Sequence, residues 1–210
     1  MAYLVFVRHG QSEWNALGLW TGQKDVPLTE QGREEARKAA EGLRDITLHK
    51  AYTSKLARAK ETLREIKEAL GHVGQADLET VEHEALNERH YGDYTAKNKW
   101  EIKEAIGEEE FTKLRRTWDH PVPGGETLKD VHARALPYYE EHILQDLKQG
   151  KNVIVAAHGN TLRALMKHLE EVADDDVHQL EIGTGEVMVY EIDEHGKVLD
   201  KQLRTAGGKA

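Results

Sequence analysis

The chain has 210 residues, a formal net charge of −9 and no cysteine. That length suits a single domain over residues 1–210, and the missing thiols exclude disulfides, thiolate catalysis and zinc–cysteine sites while suiting a reducing cytoplasm. The acidic balance disfavours nucleic acid as a partner, and no apolar run approaches the roughly 20 residues needed to span a membrane.

Residues 2–7, AYLVFV, form a short β-branched and aromatic run that predicts a first strand, not a signal peptide, because a charged motif follows at once. Residues 28–46 predict a helix with Thr29 as N-cap and Ala36, Ala39, Ala40 and Leu43 on one face. A second strand is expected at 49–54, a helix at 55–70 stopped by Gly71, and a third strand at 76–82. The loop HEALNERHYGDYTAKNK is rich in charge, His, Tyr and Asn and lacks a helical period. Two short helices follow at about 100–105 and 108–118, then the loop DHPVPGGET. A long helix is expected over 128–148, with Pro137 near a bend. NVIVAA has the continuous apolar character of a strand buried on both faces, a helix follows it, and QLEI with EVMVYEI predicts a closing hairpin about residues 183–185. The tail after about residue 203 is expected to be mobile.

This alternation predicts an α/β fold: a three-layer sandwich with a mostly parallel central sheet flanked by helices. Ligands of such sheets bind beyond the carboxyl ends of the strands. His9 and His158 both stand there, each followed by glycine, together with Ser54 and the helix that carries Arg58. A lone histidine after a strand is usually a hydrogen-bonding residue. Two of them, each beside a glycine that lets a ligand approach the backbone, favour function. Metal binding fails for want of partners: neither histidine has a second ligand at helical or strand spacing, and there is no HExxH. Arg8 beside His9 repels a cation and attracts phosphate. The pattern points to phosphoryl chemistry with His9 as nucleophile. One His9 nitrogen should donate to a carbonyl to fix the tautomer. Arg8, Arg58 and a protonated His158 would clamp the phosphoryl oxygens, and Glu88, between Asn87, Arg89 and Tyr91, would move the proton. Lys99 and the Arg115–Arg116 pair, taken alone, read as solvated helix faces.

LVFVRHGQSEWN, WTGQKDVPLTEQG, AYTSKLARAKETL, LNERHYGD, LRRTWD and AAHGNTLRAL, in this order, closely resemble the cofactor-dependent phosphoglycerate mutases of the histidine phosphatase superfamily. The resemblance runs from residue 4 to the final strands. It implies interconversion of 3-phosphoglycerate and 2-phosphoglycerate, with His9 phosphorylated by 2,3-bisphosphoglycerate and no metal. It also implies that His158 stabilises the transferring group. Arg8, Arg58, Asn15, Gly159 and Asn160 would complete its pocket, with Glu88 as acid and base. Tyr91, Lys99, Arg115 and Arg116 would hold the substrate's carboxylate and second phosphate, with Arg89 beside them in the same motif and Ser12, Thr21 and Gly22 lining the cleft.

A mutase must bind a substrate charged at both ends in two orientations, so a distal Lys and two Arg favour it over a phosphatase. Two departures stand out. YTAKNK replaces the more usual LQGLNK, which we read as Lys97 in place of a glycine, and TWDHPVPGGET lacks a longer insertion. The second favours a monomer over a homodimer. A phosphomonoester phosphatase of the same superfamily and a catalytically idle binding protein on the same fold remain as alternatives.

Overall fold

The computed structural model describes residues 1–71, 77–205 and 208–209. The strands are β1 (Ala2–Arg8), β2 (Lys50–Thr53), β3 (Thr80–Glu82), β4 (Val153–Ala157), β5 (Val187–Ile192), β6 (Val198–Thr205) and the two-residue β7 (Gly208–Lys209). They form one sheet in the order β3-β2-β4-β1-β5-β6-β7. The pairs from β3 to β1 are parallel, and β5, β6 and β7 add in antiparallel fashion, so only β5 and β7 run against the rest.

The helices are α1 (Glu13–Ala16), α2 (Glu30–Glu41), α3 (Ala57–Ala69), α4 (Lys99–Ile106), α5 (Glu108–Arg116), α6 (Leu128–Tyr138), α7 (Leu144–Lys148) and α8 (Gly159–Leu169). Strand alternation decides which layer each residue joins. Leu4, Phe6, Val153 and Val155 pack under α6 and α8, with Leu128, Val131, Ala135, Leu162 and Leu165. Val5, Val7, Ile154 and Ala156 face α2 and α3, with Ala36, Ala39, Ala40, Leu63 and Ile66. Both layers are needed to cover a central strand that is apolar on both sides.

Thr29 caps α2 as expected, accepting from the Gly32 amide at 3.1 Å. The long helix begins at residue 128 but is not uniform: after Pro137 it passes through a π-wound turn, Tyr139–Ile143, into α7. Proline supplies no backbone N–H, which disturbs the i→i−4 ladder at that point.

The closing hairpin lies elsewhere than expected. QLEI forms no strand, and the hairpin joins β5 to β6 through the turn at residues 193–197, where Asp193 N donates to Lys197 O at 2.9 Å. Of the tail expected to move, Arg204 is buried in β6, donates to Gly42 O at 2.9 Å and pairs with Asp45 at 2.6 Å. Residues 206, 207 and 210 lie outside the described residues, as do 72–76.

Candidate active site

The parallel register assembles the centre. Arg8 faces Ala157 across β1 and β4, and Thr53 faces Ala156 across β2 and β4. The residues that follow these strand ends, His9, His158 and Ser54, therefore meet at one edge of the sheet. His9 N donates to Ala157 O at 3.0 Å, and the two imidazole centroids are 5.0 Å apart. Gly10 lets this loop press against α2: a Cβ there would fall 2.1 Å from Gly32 O.

His9 Nδ1 lies 2.7 Å from Gly10 O, and Arg58 Nε donates to Nε2 at 3.3 Å. A carbonyl can only accept, so Nδ1 carries the proton and Nε2 keeps its lone pair. Burial, then Arg58 and Arg8, push the His9 pKa well below its ordinary value. Arg58 is itself anchored on Lys24 O at 2.9 Å and Gly22 O at 2.7 Å, and burial lowers its pKa to about 10.

His158 departs from the expectation of a protonated ring. It is fully buried, and burial, then Arg58 and His9, hold its pKa well below the usual range. Its Nε2 sits 2.7 Å from Ser54 Oγ, which already accepts from Leu56 N, and Nδ1 has no protein partner. With the Ser54 hydroxyl donating to Nε2, a neutral His158 presents Nδ1–H as a donor.

Glu88 Oε1 accepts from Arg89 N at 2.8 Å, from Asn160 N at 3.3 Å and from Asn160 Nδ2 at 3.1 Å. Asn160 Nδ2 also donates to the Tyr91 hydroxyl at 2.8 Å, while Arg163 Nη1 donates to Asn160 Oδ1 at 3.0 Å. Asn15 Oδ1 takes the Ser12 amide and hydroxyl, leaving its NH2 for a ligand.

One cleft joins most of these groups. Arg8, His9, Asn15, Thr21, Gly22, Arg58, Glu88, Tyr91, Lys99, Arg115, Arg116, Gly159 and Asn160 line it, together with Trp20, Arg163 and Glu181, which the sequence reading did not single out. Six cationic side chains thus stand against two carboxylates in a protein of net charge −9. Crowding shows in their titration. Burial, then Arg115 and Arg8, lower Lys99 to about 8, and burial followed by Arg116 lowers Arg115. Buried atoms of Arg8 (Nε), Thr21 (Oγ1) and Arg116 (Nη1) have no protein partner, an arrangement that suits a ligand with many acceptor oxygens.

Three expected site residues do not line the cleft: the fully buried His158, Ser12 and Arg89. Ser12 is fully buried and spends its hydroxyl on the capping box of α1. Arg89 is buried against the Tyr91 ring, 4.6 Å from its centroid, and donates to Leu114 O at 3.0 Å. Both shape the cleft from beneath. The glycine-replacing position is also one residue earlier than read: Ala96, not Lys97, has the left-handed φ of 69°. Arg163 was within reach of sequence reasoning, one helical turn beyond Asn160 on α8. Glu181, in an irregular segment, had no local signal. Among the described residues, no group of three or more His, Asp or Glu could hold a metal ion, and no helix is long and apolar enough to cross a membrane.

Residues 4–204 match the histidine phosphatase superfamily (branch 1). The chain belongs to that superfamily. It is 48% identical over 202 residues to the 2,3-bisphosphoglycerate-dependent phosphoglycerate mutase of Parvibaculum lavamentivorans, covering 95% of each chain. Among solved structures it resembles Bacillus stearothermophilus YhfR, with a TM-score of 0.82 at 26% identity over 100% of this chain and 98% of that one. It also resembles a mycobacterial glucosyl-3-phosphoglycerate phosphatase complexed with VO3, with a TM-score of 0.79 at 27% identity over 98% of each.

Proposed function

We propose that this protein is a phosphoglycerate mutase that interconverts 3-phosphoglycerate and 2-phosphoglycerate through a phosphohistidine at His9 Nε2. The observation that carries this reading is the two-ended cleft: an unprotonated imidazole nitrogen, accepting a long bond from Arg58, at one end, and Lys99, Arg115 and Arg116 along the same cavity. 2,3-Bisphosphoglycerate supplies the priming phosphoryl group, and its two phosphates and carboxylate fit the cationic lining. The Nε2 lone pair attacks phosphorus, the N–P bond forms and the P–O bond to the departing hydroxyl breaks. Glu88 gives that oxygen its proton. In the second half Glu88 takes the proton from the other hydroxyl, which attacks the phosphohistidine and restores His9. Arg8, Arg58, Asn15 and the His158 Nδ1–H stabilise the equatorial oxygens, while Lys99, Arg115 and Arg116 hold the distal anions in either orientation.

The runner-up is a phosphatase, in which water attacks the phosphohistidine. The likeness to the mycobacterial phosphatase favours it at the level of fold. A coupled assay of 3-phosphoglycerate conversion, with and without catalytic 2,3-bisphosphoglycerate and with EDTA throughout, run beside phosphate release, separates the two. Bisphosphoglycerate-dependent isomerisation with little free phosphate is the expected result; phosphate release without isomerisation overturns the mutase. A chain that forms no phosphohistidine is the idle binding protein. The same reading places the enzyme in the cytoplasm as a monomer, which gel filtration tests.

A further inference from the structure

Three consecutive residues after the last 3-10 turn touch three different arginines of the cleft. Leu180 O accepts from Arg163 Nε at 2.8 Å, and Ile182 O accepts from Arg8 Nη1 at 2.9 Å. Between them the Glu181 carboxylate pairs with Arg116 Nη2 at 2.9 Å. The three contacts differ in kind. The two carbonyls are fixed by the backbone, and their residues are buried plugs of the core. Glu181 instead reaches Arg116 on a side chain that is 60% exposed, so its grip is that of a surface ion pair. It is also one of only two carboxylates lining the cleft, and the other, Glu88, is held by three donors.

We propose that Glu181 is a displaceable internal anion: it occupies Arg116 while the cleft is empty, yields that guanidinium to the distal anion of the substrate, and reclaims it as product leaves. This rests on the reading that the substrate's second anionic group lands on Arg116. The physical need is plain. Lys99, Arg115 and Arg116 share one cavity with Arg8, and their mutual repulsion is relieved in the free enzyme by a carboxylate that costs little to dislodge. Glu181 therefore sets affinity for two-ended anions and eases their release, without touching the reacting atoms. It is a specificity-determining residue.

The test is titration of 3-phosphoglycerate by calorimetry into the full chain and into its E181Q and E181D variants, with inorganic phosphate as the single-anion control. An exposed pair of this kind predicts 3-phosphoglycerate binding about two- to five-fold tighter in E181Q, with phosphate affinity changed less. E181D keeps the charge on a stem one methylene shorter and should follow E181Q. If E181D instead matches the wild type, the effect is one of field and the displacement idea is overturned. Unchanged or weaker binding in E181Q also overturns it, because Glu181 would then hold Arg116 in place for the substrate. Failure of the mutase reading appears separately, as absent isomerisation in the wild type, since the titration needs no turnover.

Discussion

Two fully buried imidazoles at the centre of the site make the stability of the free enzyme depend on pH in a way that can be calculated. In the fold, burial and the neighbouring arginines push the pKa of both His9 and His158 well below 6.5. In the unfolded chain each histidine titrates near its ordinary value, about 6.5. Between the folded and unfolded values only the unfolded chain takes up a proton. The stability that these groups support is thus fully present above about pH 6.5 and is lost as pH falls below it. Going from pH 7.5 to 5.5, each imidazole that stays neutral in the fold costs about 1.4 kcal/mol, so the pair costs about 3 kcal/mol. Urea denaturation across this range, followed by tryptophan fluorescence, reads the slope. Other titrating groups contribute to the wild-type slope, so the informative quantity is a difference: His158→Asn should reduce the loss between pH 7.5 and 5.5 by about 1.4 kcal/mol, whatever it does at neutral pH. Inorganic phosphate should flatten the wild-type slope, because an anion beside the imidazoles favours their charged forms. Equal slopes for the two proteins would refute the claim that His158 is buried neutral.

Further outcomes follow from the same geometry. His9→Ala should abolish isomerisation and phosphate release together, whereas Lys99→Ala should harm isomerisation more than hydrolysis of p-nitrophenyl phosphate; equal losses would remove Lys99 from the distal end. Because Lys99 loses its proton near pH 8, KM for 3-phosphoglycerate should rise between pH 7.5 and 9, and Lys99→Arg should abolish that rise; a KM flat in the wild type contradicts the role. Ala96 holds a left-handed backbone, at φ 69°. Replacing it with glycine should stabilise the chain by about 0.5–1 kcal/mol, since the strain removed exceeds the entropy that glycine adds. A lowered urea midpoint for Ala96→Gly would show that the strain is absorbed elsewhere.

The elements that carry the nucleophile were the most legible. β1 and β4 are apolar on both faces, and a run that must be covered from two sides announces itself in composition. The two strand ends then brought His9 and His158 together through register alone, a consequence of parallel pairing that needs no side-chain detail. β6 was illegible for the opposite reason: from Val198 to Leu203 every side chain reaches solvent, so no apolar alternation marks it. The glycines at 183 and 185 misled because they do make a turn, with Glu186 N donating to Gly183 O at 3.2 Å. That turn enters β5 from an irregular segment whose Leu180 and Ile182 are core plugs rather than strand residues. Ser12 and Arg89 share the motifs of the cleft, but a motif does not say which of its members faces the ligand and which caps or props the one that does.

The structural neighbours include a phosphatase, while the Parvibaculum relative carries a mutase name. The two findings do not conflict, because a shared fold does not fix the reaction. A TM-score near 0.8 measures the sheet and helices, which in this chain deliver the histidine pair, Arg8 and Arg58. The branch point is the distal wall, where Lys99 begins α4, Arg115 and Arg116 end α5, and Glu181 closes the side. A phosphatase of a singly anionic monoester gains little from three more cations, crowded so that burial first and neighbouring cations second lower the pKa of Lys99 and Arg115. A mutase needs them twice per cycle, once for each orientation of a doubly charged substrate, and needs them to let go between turnovers. On the proposed reading, that wall receives the second anion of the substrate. On that reading the side chains of α4 and α5, rather than the fold, carry the preference for a substrate charged at both ends.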